Sequence, residues 1–222
     1  PEALPHLSHV SPDVLICQTL PPHEIDSMAV DIAQRFPSLI HQTSTRSQEP
    51  PGTQTLWNRF AFNSQQVFNL SDRIKTKKAE LRQGLLHVEL DIPHEKPLHI
   101  VAFHVKDKAF HTLGQTEMRR NESRLISRTA NDLLIHSPRR HLLLIGVLHD
   151  DRGSVAYRQL LGPDPTPLED LHPLDQEGTS WTCHLPERDY YLRTDFALVS
   201  PALAPIIDRA QTRLLPSSAH HR

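Results

Sequence analysis

Cysteine is nearly absent. Cys17 and Cys183 are the only two in 222 residues, too few for a disulfide framework, so a packed core has to hold the fold. No run of 18 apolar residues occurs, which excludes a membrane-spanning helix. No basic-then-apolar leader precedes the first apolar segments, and the start at Pro1 without Met is read as the trace of a removed upstream segment. Excess charge is missing too. The formal net charge is −2 and the pI about 6.8, so there is no general electrostatic pull toward nucleic acid, although a local basic patch stays open. What is plentiful is proline, 19 residues, and histidine, 16. The first predicts many turns and long loops. With 37% hydrophobic and 23% charged residues, the chain has the balance of one globular α/β domain spanning 1–222.

The stretch His141–Asp151, HLLLIGVLHDD, organises the rest. Leu142–Ile145 is an apolar run too short for a typical helix and right for a strand buried on both faces. Gly146 lets the backbone turn, and His149, Asp150 and Asp151 follow at once. A buried strand that delivers polar groups at its end is a rigid floor for a site. Val147 and Leu148 stand where the chemistry would be expected, and read most simply as core packing.

Around this strand the chain reads as follows. Val14–Cys17 is a buried strand, with Cys17 a small buried hydrophobe. Ile25, Met28, Ala29, Ile32, Ala33 and Phe36 fall at helical spacing over about 23–36, stopped by Pro37. Residues 41–54 are polar and read as an exposed loop. Leu56–Phe62 and Gln66–Leu70 read as strands with a turn around Asn63-Ser64, and the charged 71–80 as a solvated loop with Lys75, Lys77 and Lys78. Gly84–Ile92 and Leu98–Val105 form an antiparallel hairpin through the turn at Pro93–Pro97. After a loop at 106–114, residues 115–136 form a long helix with Arg119, Arg120, Glu122, Arg124 and Arg128 on its solvated face. Val155–Leu161 is a short helix and 162–178 a Pro- and acid-rich loop. Thr179–His184 and Thr194–Val199 are strands, and Pro201–Pro205 is a turn. Strand pairs separated by two helices suggest an α+β fold: a four-layer α/β/β/α sandwich, two mixed sheets face to face with helices outside.

The order of these pieces resembles the endonuclease/exonuclease/phosphatase superfamily, whose fold is deoxyribonuclease-I-like. PDVLICQTL is similar to the family's PDVLxLQE strand, TLWNRFAF to its LLSRFP-like strand, and LRQGLLHVELDI with PLHIVAFHVKDK to the hairpin ending in NxHLKSK. EMRRNESRLISRTANDLL resembles the family's long helix and HLLLIGVLHDDRGSVAYRQLLG its LLLGDFNDxPGSxAxxxLLG. SWTC with YYLRTDFALVSPALAP resembles SWTY with RRIDYILVSPAL, and SSAHHR resembles SDHRP. The resemblance covers nearly all of the chain. It implies two mixed sheets with the site at one end, and metal-dependent hydrolysis of phosphodiesters or phosphomonoesters. Magnesium is the implied cofactor, and a phosphoester-containing small molecule or nucleic acid the implied partner. The family's first and last strands would lie outside 1–222, which predicts unpaired edges and marginal stability or association.

Carried over residue by residue, the metal-binding glutamate falls on Gln18, the GDxN aspartate on Val147, its asparagine on His149, and the SDH aspartate on His220. His104, Asp195 and His221 keep family residue types, and Asp150 lies just past the motif. The resemblance thus nominates His104, His149, Asp195 and His221 as catalytic positions and Gln18, Asp150 and His220 as metal positions. Physically the set is depleted. Mg²⁺ wants charged oxygen ligands, and Gln18 keeps an oxygen without the charge. Val147 can neither donate nor accept, and the role of such an acid or base is worth roughly 10²–10⁴ in rate. His220 cannot orient His221 as a carboxylate would. The reading that follows is a hydrolase fold with hydrolysis lost or strongly impaired. The alternatives are an active phosphoesterase with a rewired His/Asp site, holding a softer ion such as Zn²⁺ or Mn²⁺ through imidazoles, and a non-cleaving module that binds phosphate or nucleic acid.

Overall fold

A computed structural model describes residues 10–45, 53–68, 71–74, 77–80, 84–105, 115–163 and 167–215. Side-chain alternation builds its layers. Strand β1 (Val14–Leu20) turns Val14 and Ile16 one way and Leu15 and Cys17 the other. The second pair packs under helix α1 (Ile25–Arg35), whose Met28 and Ile32, with Phe36 just beyond, follow the i, i+4, i+8 spacing read from the sequence. The helix ends where Phe36 N–H reaches back to the Ile32 carbonyl at 2.7 Å, with Pro37 next. Strand β1 pairs with β3 (Thr53–Asn58), which pairs in turn with β2 (His41–Ser44), all antiparallel.

The second sheet has six strands. Strands β4 (Phe62–Phe68), β7 (Leu85–Leu90), β8 (Leu98–His104), β9 (His141–Val147), β13 (Asp195–Val199) and β10 (Glu169–Asp170) lie side by side, with only β8 and β9 parallel. Leu142 and Leu144 of β9 face helices α2 (Gln115–His136) and α3 (Val155–Leu160), while Leu143 and Ile145 face the smaller sheet. Between the sheets Leu56, Leu86, Val88, Leu90, Ile100 and Ala102 are at most 1% exposed, and burying each of the larger ones is worth about 1.5–3 kcal/mol. The result is an α+β sandwich in four layers. The larger sheet is mixed and the smaller antiparallel. No described helix is long and apolar enough to cross a membrane.

Several local readings need correction. Residues 41–54 are not simply loop: β2 is a polar strand, carried by its pairing with β3 rather than by apolar content. The turn read at Asn63-Ser64 lies earlier, at 59–61. There the Asn58 side chain accepts from Phe60 N–H at 2.8 Å, an Asx turn that ends β3 despite the apolar Phe60 and Phe62 beyond it. Within the segment read as a solvated loop, β5 (Ser71–Ile74) pairs antiparallel with β6 (Lys77–Glu80). The strand read at Thr179–His184 is β11 (Cys183–Leu185), paired with β12 (Tyr190–Leu192), which apolar patterning did not reveal.

The alternation of β7 and β8 also buries two histidines. His87 and His99 are 5% and 6% exposed, with His87 Nε2 3.1 Å from His99 Nδ1. Burial pushes both pKa values down, and the Arg140 guanidinium adds to this; His99 falls to about 4, with Glu89 opposing the shift. His99 therefore stays neutral in the folded chain down to about pH 4 and His87 to a lower pH than a free imidazole, while the unfolded chain takes up protons below about pH 6.5. Stability should be fully present above that pH and lost as pH falls toward 4. His99 alone contributes about 3 kcal/mol to that loss. Urea denaturation across this range should show the slope, and a His87→Leu/His99→Leu double variant should lose most of it. An unchanged slope would assign the effect to carboxylates instead.

Candidate functional site

The central strands end together. His104 closes β8, Val147 closes β9 and Asp195 opens β13, and the register pairs His104 with Val147 and Val147 with Asp195. Residues paired this way share a face, and it is the face of Leu143 and Ile145, toward the smaller sheet. The three side chains thus form one row, His–Val–Asp, with an isopropyl group in the middle. Gln18 continues the Val14 and Ile16 alternation of β1 and faces this row from across the sandwich. Its amide donates to the Phe103 carbonyl at 3.0 Å.

That carbonyl explains Gly146. A Cβ on residue 146 would stand 2.0 Å from Phe103 O and 2.8 Å from Phe103 C and Cδ1, so only glycine admits the two backbones at this distance. Gln54, fully buried on β3, braces the same stretch. With its amide oriented to satisfy both neighbours, it donates to Ala102 O at 2.8 Å and accepts from His104 N–H at 3.0 Å.

The other nominated residues divide. His149 lies against His104, with Nε2 atoms 3.0 Å apart and ring planes inclined by 58°. Asp195 accepts from the hydroxyls of Thr182 at 2.6 Å and Thr194 at 2.8 Å. The Thr182 oxygen in turn accepts from the backbone N–H groups of Thr194 and Asp195. Asp150 pairs with Arg119 at 3.2 Å, both side chains nearly buried. Arg119 is 5% exposed and Glu122 2%, which corrects their placement on a solvated helix face; a long helix lying on a sheet buries more than its apolar stripe. His220 and His221 lie outside the described residues. A cavity of about 370 Å³ opens beside the row, lined by Ile16, Gln18, Ile145, Thr182, Asp195 and Leu214 among others, but not by His104, His149 or Asp150. Sequence reading missed Thr182, Thr194, Gln54 and Arg119. The first two stood in plain view as the threonines of SWTC and RTDF, the segments matched to the family pattern.

No protein-family model matches this sequence, and no curated protein matches it. Solved structures do match. The human Nocturnin catalytic domain with bound sulfate superposes with a TM-score of 0.67 at 14% identity, covering 89% of this chain and 73% of that one. The endonuclease/exonuclease/phosphatase from Bacteroides vulgatus gives 0.64 at 14%, with 88% and 76% covered. Sphingomyelinase C from Streptomyces griseocarneus gives 0.63 at 16%, with 87% and 72% covered. The fold is that of the endonuclease/exonuclease/phosphatase proteins.

Within this endonuclease/exonuclease/phosphatase fold, the magnesium that the sequence resemblance implies meets the wrong donors. Of the metal positions that the resemblance nominates, Gln18 would bring a neutral amide oxygen, Asp150 is paired with Arg119, and His220 lies outside the described residues. The Asp195 carboxylate already serves two hydroxyls. Among the described residues, no three His, Cys, Asp or Glu side chains converge as a metal site. A hard dication that surrenders its water reluctantly needs more charge than this.

Proposed function

We propose that this chain is a phosphoesterase-derived protein in which hydrolysis is lost or strongly impaired, and that it persists as a binding or scaffold module. The observation that carries the reading is the row His104–Val147–Asp195 facing Gln18. Where a hydrolase needs acid–base and charge-stabilising groups in contact, an apolar side chain separates the imidazole from the carboxylate. The losses at Gln18 and Val147 act on one site and so do not simply multiply, but a single positioned acid or base already accounts for roughly 10²–10⁴ in rate. The cavity points the same way. Among the described residues, Asp195 is the acidic one of its lining and no lysine or arginine contributes to it, so these residues offer a phosphate repulsion without a compensating cation.

The test is turnover of bis-p-nitrophenyl phosphate by the purified chain with Mg²⁺, Mn²⁺ or Zn²⁺. No rate above that of a Val147→Ala control is expected. Metal-dependent cleavage that Asp195→Asn or His104→Ala abolishes would overturn the proposal and favour a rewired active phosphoesterase.

A further inference from the structure

Asp195 differs from two other shielded carboxylates of this chain. Asp150 is paired with Arg119 at 3.2 Å and Asp170 with Arg193 at 2.7 Å. Asp195 is half-buried, yet it pairs with no cation among the described residues. Its two hydroxyl donors, Thr182 at 2.6 Å and Thr194 at 2.8 Å, both converge on Oδ2. The Thr182 oxygen is itself held by the backbone N–H groups of Thr194 and Asp195, at 3.0 and 3.1 Å. The carboxylate is thus fixed from one side. Its other oxygen, Oδ1, accepts no hydrogen bond from the described residues and is not sealed from solvent.

The cavity of about 370 Å³ beside Asp195 is walled mainly by Ile16, Ile145, Pro173 and Leu214. Part of its room comes from Ala197, which stands opposite Ile145 in the β13–β9 ladder and is too short to fill the space. The volume falls in the ordinary range of small-molecule sites, roughly 300–1,000 Å³. The lining has their character as well: an apolar wall with a few fixed polar groups that orient a ligand by one end. A carboxylate shielded among apolar groups is ordinarily paired. Here the chain supplies no partner of its own, and the open side of the carboxylate belongs to a residue that lines the cavity.

We propose that this cavity binds a small organic amine as its ammonium ion, with N–H donated to Asp195 Oδ1 and an apolar body lying along Ile16, Ile145 and Leu214. The lining selects against the other classes. An anion meets like charge. A metal dication finds too few charged oxygens. An alkylammonium ion supplies a charge-assisted hydrogen bond at one end and buries its methylene groups at the other. The inference rests on the reading of this chain as a binding module and names the ligand class of that site. A chain that binds no amine still lacks the groups for hydrolysis, and phosphodiester turnover is measured separately.

The experiment is an NMR titration of the full chain with n-hexylammonium, n-hexanol, hexanoate and methylammonium at one ionic strength, following the backbone amides of Gly146, Thr182 and Ala197. Hexylammonium should saturate these shifts with a dissociation constant of about 1 mM or below. It should bind at least about tenfold more tightly than hexanol, the gain of one hydrogen bond to a charged group. Methylammonium, with the charge but no apolar body, and hexanoate, with the wrong charge, should both bind more weakly than hexylammonium. Asp195→Asn keeps an acceptor oxygen for the two threonines and should bring hexylammonium down to the hexanol level. The probe series is read on the parent chain, so the outcome does not depend on how well that variant folds. Equal affinity for hexylammonium and hexanol would overturn the proposal and leave an apolar cavity only. Equal affinity for hexylammonium and methylammonium, or no shift at these amides with any ammonium probe, would overturn it too, as would a preference for ammonium that survives in a folded Asp195→Asn chain.

Discussion

Replacing Gly146 with alanine is expected to destabilise the chain by about 3 kcal/mol or more, at the upper end of what overpacking costs. The added Cβ would overlap the Phe103 carbonyl, 2.0 Å away. Neither partner can step aside cheaply. Strands β8 and β9 are paired over seven residues each, in the middle of the six-stranded sheet. The displaced carbonyl is also the acceptor for the Gln18 amide, so the damage would extend to the row His104–Val147–Asp195. Gly153→Ala is the control. Its Cβ would meet only the Asp151 carboxylate, 3.2 Å away at the end of an exposed side chain, and should cost within about 0.5 kcal/mol. Urea denaturation of both variants decides the matter. A Gly146→Ala chain within 1 kcal/mol of the parent, by the same order-of-magnitude scale, would show that the strands do not approach as described.

Removing the Arg193 side chain should be comparably severe, about 3 kcal/mol, because it takes the two closest cationic donors from a buried carboxylate and leaves only the half-exposed Arg152, 3.4 Å away. Arg193 donates twice to Asp170, at 2.8 and 2.7 Å, with the two side chains 6% and 5% exposed. The same carboxylate accepts from the Tyr157 hydroxyl at 3.0 Å and from His172 N–H at 2.9 Å, and the guanidinium lies 4.7 Å over Phe196. Burial by itself would raise the Asp170 pKa. The Arg193 and His172 bonds and the Tyr157 hydroxyl outweigh it and hold the carboxyl below its ordinary value. The sign follows. This stability is present above the unfolded carboxyl pKa near 4 and is lost as pH falls through the lower folded value. Arg193→Ala should flatten that acid limb, whereas Asp170→Leu/Arg193→Met, which removes both charges, should cost less than Arg193→Ala alone. A double variant worse than the single one would mean that packing, not the stranded charge, sets the loss.

These cases mark how far one-dimensional information reaches. Strand β9, the β7–β8 hairpin and helix α2 were legible because their apolar residues repeat with the period of the element that buries them. Strand β2, with the sequence HQTS, was not, since a polar strand exists only through its partner. The burial of Arg119 was illegible for a similar reason: it depends on Asp150, 31 residues away. Among the site residues, the amide of Gln18 and the apolar side chain of Val147 could be read directly, because residue identity is local. Their consequence could not. That Val147 stands between His104 and Asp195 is a property of strand register, and that Thr182 occupies the Asp195 carboxylate is a property of a hairpin packed beside it.

By itself the sequence determined the fold class and the order of the layers, because periodicity and residue identity are local. Only the tertiary structure decided which side chains meet. The parallel register of β8 on β9 and the left-handed backbone at His149 bring together two imidazoles 45 residues apart, and no local pattern encodes a distance between strands that the chain visits so far apart.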